Sequence, residues 1–101
     1  MKPDMWTLVM FDLPVKTKTE KREAVRFRNW LLEVGFIQIQ YSVYARYNVI
    51  ISATRTLLKQ LESGLPSYGE IRILFLTDTQ WANSIYFKNN KKLALTINPT
   101  H

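Results

Sequence analysis

Apolar residues run almost unbroken from Met5 to Phe11 and then stop at Asp12-Leu13-Pro14. A β-prone run of this kind, closed by a proline-marked loop, predicts a buried strand. Thr17-Lys18-Thr19-Glu20 follows with the spacing of a capping box, in which Thr and Glu each satisfy the other's backbone N–H. Ala24, Phe27, Leu31 and Val34 then recur at helical spacing, with Trp30 beside them and Gly35 as the stop. The pattern predicts a first helix from Lys18 to Val34. Phe36 to Gln40 reads as a second strand and Ser42 to Tyr47 as a third, or the two as one bent ribbon, because the turn signal between them is poor. A second helix is expected within 50–63, with Leu57, Leu58 and Leu61 facing inward and Gly64-Leu65-Pro66 ending it. Its start is open, since Val49-Ile50-Ile51 would suit a strand equally well. Ile71 to Thr77 reads as a fourth strand, Asp78 to Asn83 as a turn or short helix, and Ser84 to Lys88 as a short fifth strand. From Asn89 onward the chain is basic and then mildly apolar, a tail either loose or docked.

This order, β-α-β-β-α-β with an additional C-terminal strand, is the ferredoxin-like arrangement of an α+β domain. Right-handed crossovers put both helices on one sheet face. The first and third strands are then expected at the centre, adjacent and parallel, with the fourth antiparallel beside the first. The 101 residues suffice for a single domain, with its core at about 5–88 and its tail at 89–101. In the first strand Met5, Val9 and Phe11 point one way, and Trp6, Leu8 and Met10 the other. Ile71, Ile73 and Phe75 oppose Leu74 and Leu76 in the fourth. Both sheet faces are therefore apolar, while two helices cover only one. A symmetric partner in an isologous homodimer is the expected cover for the second face, and the C-terminal tail folded back is the alternative.

Composition adds limits. The chain is 47% hydrophobic and 22% charged, which is globular, and it has no cysteine. That excludes a disulfide framework, a thiolate zinc site and a cysteine nucleophile. No basic-then-apolar leader stands at the N-terminus and no apolar run approaches spanning length, so a soluble, cytoplasmic protein without membrane contact is expected. Fourteen Lys and Arg against eight Asp and Glu leave a net charge of +6. Such a domain attracts polyanions, nucleic acid above all. An ordinary solvated surface would account for the charge as well.

Chemistry-bearing residues are few. The only histidine, His101, is the last residue, and no glycine-rich loop or nucleophile motif is present. Two carboxylates sit at strand ends, Asp12 and Asp78. The predicted sheet places Asp78 near Asp4, and Asp12 near Arg46 and Glu70, so Asp12 and Asp78 do not meet within one chain. A dimer could bring two copies of Asp12 together, and Mg²⁺ or Mn²⁺ accepts so few protein carboxylates that they could share one ion. Asp12 as a mere cap of the loop before Pro14 fits the spacing better. Lys18, Arg22 and Arg26 form one stripe on the first helix, with Lys21 and Arg28 at its margin and Lys16 just before it. A stripe of this kind follows phosphates without reading sequence. Lys88, Lys91 and Lys92 form a second basic cluster. Tyr44, on the same face as Ser42 and Arg46, suits core or interface packing better than base stacking.

Several segments in order now carry a resemblance. They are Phe11-Asp12-Leu13-Pro14 closing an apolar strand, the helix with Arg22 and Arg26-Phe27-Arg28, Gly35-Phe36, Gln40-Tyr41-Ser42-Val43-Tyr44, and Ile71-Arg72-Ile73-Leu74. Together they resemble the CRISPR-associated protein 2 family, the small adaptation subunit of bacterial CRISPR systems, over about 5–81. The Arg-Phe-Arg helix and Leu65-Pro66 look most like members from type II systems, which use a single large effector nuclease. The resemblance implies a ferredoxin-like homodimer whose C-terminal strand reaches the partner. It implies a role in spacer acquisition, where the dimer bridges dimers of the CRISPR adaptation integrase and holds protospacer duplex DNA on a basic surface. Lys16, Lys18, Arg22, Arg26 and Arg46 are the candidates for that surface. It also implies a Mg²⁺- or Mn²⁺-dependent endonuclease activity on RNA or DNA, with Asp12 as catalytic residue and metal ligand and the ion shared at the dimer axis. An endoribonuclease acting on its own, of this family or a related ribonuclease toxin, is the competing reading. The apolar Val49-Ile50-Ile51 and the Lys-rich tail depart from the family pattern.

Overall fold

The capping box forms as its spacing predicts. The Glu20 N–H donates to Thr17 Oγ1 at 3.0 Å, and Glu20 Oε1 accepts from the backbone N–H groups of Thr17 (3.0 Å) and Lys16 (2.9 Å). Helix α1 (Lys18–Glu33) follows from it. At the other end Gly35 adopts φ +96°, its N–H donates to Leu32 O, and the Phe36 N–H donates to Leu31 O. This pair of bonds, with Phe36 packed in the same cluster as Leu31, is a Schellman stop, and only the left-handed glycine permits it without strain.

In this computed structural model, described for residues 4–48 and 52–93, the remaining elements fall close to their predicted places. Strand β1 (Met5–Asp12) precedes α1; β2 (Ile37–Gln40), β3 (Val43–Asn48), α2 (Ser52–Ser63), β4 (Glu70–Thr77) and a short α3 (Asp78–Ala82) follow it. Val49-Ile50-Ile51, whose strand or helix character the pattern left open, lies outside the described residues, as do the apolar end of the tail and His101. Tyr41 and Ser42 separate β2 from β3, and the pairing shifts register between Gln38 and Gln40, so the ribbon is a hairpin with an irregularity.

The sheet order is β2-β3-β1-β4, the ferredoxin-like order, and the fold is α+β with both helices on one face. One expectation is corrected. β1 and β3 are adjacent but antiparallel, with Met5 opposite Asn48 and Met10 opposite Val43. The reason is connectivity. A helical crossover makes β1 and β2 parallel, a short turn makes β3 antiparallel to β2, and β3 lies between them. β4 is antiparallel to β1 as expected.

Val9, Phe11 and Tyr44 meet Phe27 and Leu31 of α1 and Leu57 and Leu61 of α2 to form the main core. Each fully buried side chain of this size contributes about 1.5–3 kcal/mol. The opposite face carries a second cluster of Trp6, Leu8 and Ala45, joined by Ile39, Val43, Tyr47, Leu76 and Trp81. Trp81 of α3 stacks on Trp6 with ring centroids 5.2 Å apart, so this chain's own short helix covers one end of the second face. The predicted fifth strand is shorter than expected and does not join the main sheet. β5 (Tyr86–Lys88) pairs with β6 (Lys91–Leu93) in a separate two-stranded hairpin, turned by Asn89 (φ 51°) and Asn90 (φ 67°). Asparagine tolerates the left-handed backbone that a tight hairpin turn requires.

Candidate functional site at the end of the first strand

β1 delivers Asp12 to one end of the sheet. Its neighbour Phe11 turns toward the helices and donates its N–H to the Ser42 carbonyl at 3.1 Å, so alternation turns Asp12 toward the other face. Across the antiparallel pair Asp12 stands directly opposite Glu70. Residues so placed have Cβ atoms about 5 Å apart. Two carboxylates therefore share one face at one end of the sheet. Both are exposed, and among the described residues neither has a hydrogen-bond or ion-pair partner. Arg72 lies opposite Met10, and a shallow groove lined by Met10, Phe11, Asp12, Glu70, Ile71 and Arg72 opens there.

Gly69 lies just before β4, against the end of β1. It has φ +90°, and a Cβ built on it would lie 2.5 Å from the Asp12 carbonyl oxygen and 2.8 Å from Leu13 Cδ2. Only glycine lets the turn into β4 rest against the backbone of Asp12.

The predicted basic residues fall into two groups, exposed and engaged. Lys16 and Lys18 stand exposed on the segment that leaves Asp12, and Arg22 continues them along α1. Arg26 is occupied: its guanidinium pairs with Glu23 at 3.2 Å and donates to the Gly64 carbonyl at 3.2 Å, tying α1 to the end of α2. The bond from Arg26 to the Glu23 carboxylate is the main cause holding that carboxyl below its ordinary value. Arg46 is not beside Asp12, and the expectation is corrected. It lies opposite Thr7 and donates to Val34 O at 2.7 Å, closing the C-terminal end of α1. The misplacement follows from the parallel β1–β3 pairing assumed for the sequence: reversing β3 carries Arg46 away from the Asp12 end and brings Ser42 to it.

Arg28, at the margin of the stripe in the sequence, reaches the Asp12 end. It donates to the Tyr41 carbonyl and to Ser42 Oγ (3.2 Å), and its guanidinium carbon lies 4.9 Å from the Phe11 ring centroid and 4.0 Å from that of Tyr41. The signal was available. In Arg26-Phe27-Arg28 the buried Phe27 sends the flanking arginines to opposite sides of the helix, one toward α2 and the other toward the β2–β3 turn. Glu70 was expected near Asp12, but its place directly opposite needed the β1–β4 register.

Asp12 and Asp78 lie at opposite ends, as predicted: the Asp78 N–H donates to Asp4 O, and Trp6 Nε1 donates to Asp78 Oδ1 at 2.9 Å.

The strand-end carboxylate, Arg28 of α1 and the turn at Tyr41 thus stand at one end of a ferredoxin-like sheet, and comparison with known proteins agrees. Residues 5–84 match the family model for CRISPR associated protein Cas2. The chain belongs to the Cas2 family. It is 44% identical over 88 residues to the CRISPR-associated endoribonuclease Cas2 of Paracidovorax avenae, covering 87% of this chain and 82% of that relative. The protein of the same name from Ligilactobacillus salivarius is 43% identical over 89 residues, covering 88% and 87%. That from Parvibaculum lavamentivorans is 36% identical over 96 residues, covering 95% of each chain. The matched span takes in the whole four-stranded sheet and its helices, and so the Asp12 end described above. No helix among the described residues is long and apolar enough to cross a membrane.

Proposed function

We propose that this Cas2-family protein is a CRISPR adaptation subunit, a homodimer that holds duplex DNA and bridges integrase dimers during spacer acquisition. The observation that carries the reading is the grouping at one end of the sheet: exposed Lys16 and Lys18 on the segment that leaves Asp12 and Arg22 on the first half of α1, with an Asp12 carboxylate that has no partner among the described residues. Cations at the start of a helix add to its positive N-terminal dipole, and together they hold phosphates without reading bases. Arg26 can contribute only by loosening its tie to Glu23 and Gly64. Arg46 serves α1 and stands apart from this surface. The exposed Ile85, Tyr86, Phe87 and Leu93 of the β5–β6 hairpin supply apolar surface for a partner copy.

A second activity rests on Asp12 itself, a metal-dependent endonuclease, and the relatives' name, endoribonuclease, favours cleavage of RNA. The donor set fits a hard cation: carboxylate oxygens of Asp12 with Glu70 opposite, or of a second Asp12 across a dimer axis, and no sulfur or imidazole. Mg²⁺ or Mn²⁺ bound there would polarise a phosphate oxygen and acidify a water. The chain's own share is to present the carboxylates on a fixed strand end and to hold the neighbouring phosphates with Lys16 and Lys18.

The deciding experiment is co-purification with the candidate integrase followed by an integration assay, run with wild type and Asp12→Ala. Integration that survives the substitution while metal-stimulated cleavage disappears supports the scaffold reading with a secondary nuclease. Cleavage undiminished in Asp12→Ala would remove the nuclease site from Asp12. If Lys18→Glu with Arg22→Glu leaves duplex affinity at low salt unchanged, α1 is the wrong surface.

A further inference from the structure

Tyr41 is the most exposed large aromatic side chain among the described residues, with 76% of its surface open, yet it is not loose. Its inner face is taken by the Arg28 guanidinium, 4.0 Å from the ring centroid, and Arg28 in turn lies over Phe11 at 4.9 Å. Phe11 meets Phe27 edge-on at 5.2 Å in the core. A continuous column of rings and one planar cation thus runs from the centre of the domain to solvent and ends on Tyr41. Arg28 is fixed by its bonds to the Tyr41 carbonyl and Ser42 Oγ, and Gln38 Nε2 donates to the same carbonyl at 3.3 Å. The Phe11 N–H bond to Ser42 O clamps this turn to the end of β1, one residue from Asp12.

From this geometry we infer that the outer face of Tyr41 is a stacking platform for an unpaired nucleobase, so that this end of the molecule takes single-stranded nucleic acid or a frayed end. The inference rests on the nucleic-acid reading above and adds to it a substrate feature. A flat π-system fits an open, pre-oriented ring, and an aromatic already immobilised loses little conformational entropy on binding. Lys16 and Lys18 stand exposed on the segment that leaves Asp12, and cations of this kind suit the phosphates of a bound strand. Stacking needs an unpaired base, whereas the stripe on α1 needs only phosphates, so the two surfaces discriminate between single strand and duplex.

The test is fluorescence anisotropy of the full-length chain with labelled single-stranded RNA, single-stranded DNA and the matching duplex, in EDTA and at several salt concentrations. Tyr41→Ala and Tyr41→Leu should weaken binding to a single strand about tenfold. Duplex affinity and the salt slope should be unchanged, because no phosphate contact is lost. Tyr41→Trp should restore single-strand binding and report it by quenching of its own fluorescence. RNA and DNA strands affected alike mean that the base is the ligand; an effect on RNA alone adds a sugar contact. The platform is refuted if Tyr41→Ala binds the single strand as wild type does, if single strand and duplex weaken equally, or if the substitution alters only the oligomeric state. Wild type that binds neither single strand nor duplex would overturn the nucleic-acid reading and the platform with it. Duplex binding with no Tyr41 effect overturns the platform alone.

Discussion

The two ends of β1 carry the same kind of side chain in opposite circumstances. At its start Asp78 accepts the Trp6 indole N–H, and Asp4 hydrogen-bonds the Tyr47 hydroxyl. Trp81 covers Trp6, and Tyr47 packs against it edge-on at 5.4 Å. The Tyr47 hydroxyl is pushed up to about 12, first by lost hydration, then by its bond to Asp4 and the charges of Asp4 and Asp78. Carboxylates held by neutral donors under an aromatic lid are committed to structure. At its end Asp12 and Glu70 face each other in the open, without a partner among the described residues and with cations close by. Carboxylates in that state add little to stability and stay available for a ligand. The neighbours, not the residue type, divide the two roles.

Four measurements can break or sharpen that contrast. Trp6→Ala removes a fully buried ring, its stack on Trp81 and the donor to Asp78, and should lower the urea unfolding free energy by about 3–5 kcal/mol. A loss below about 1 kcal/mol would mean that the covered end is not structural. Gly69→Ala forces a Cβ onto the Asp12 carbonyl at a positive φ and should cost about 2 kcal/mol. Wild-type stability in that variant would show that the turn can move off Asp12. Asp78→Ala should cost about 1–2 kcal/mol by orphaning the indole N–H, against less than about 0.5 kcal/mol for Asp12→Ala. Equal losses for the two aspartates would erase the contrast.

The smallest effect is a dependence on pH. The folded state raises the Tyr47 hydroxyl from 10.0 to about 12. The unfolded chain therefore loses this proton first, so the contribution is complete below pH 10 and is lost as pH rises toward 12. The stability difference between wild type and Tyr47→Phe should change across that window and nowhere below it. A constant difference through the window would show that Tyr47 titrates as it does in the unfolded chain.

Much of this molecule was legible before its structure was known, and the legible parts share a cause. The start and stop of α1 are settled within a few residues, by Thr17, Glu20 and Gly35 bonding to adjacent backbone, and the boundaries came out as read. The buried run of β1, with Asp12 at its end, is likewise a local pattern. The Asn89-Asn90 turn was also local, but the lysines around it read as a tail, so β6 went unseen.

What escaped was long-range. Whether β3 runs with or against β1 depends on which strand is inserted between two others, and no residue of β3 records that. A parallel β3 puts Arg46 at the Asp12 end, and the helix stripe alone leaves Arg28 at its margin. The amino-acid sequence by itself determined the order of the main-sheet strands and their two long helices along the chain, the apolar character of both sheet faces, the basic first helix and the carboxylate at the end of the first strand. Those follow from bonds and periodicities spanning one or two turns of chain. Only the tertiary structure decided that Glu70 faces Asp12, that Arg28 joins Phe11 to Tyr41, and that Trp81 closes one end of the second face. Each of these depends on strand register and direction, which the chain settles by packing distant segments together.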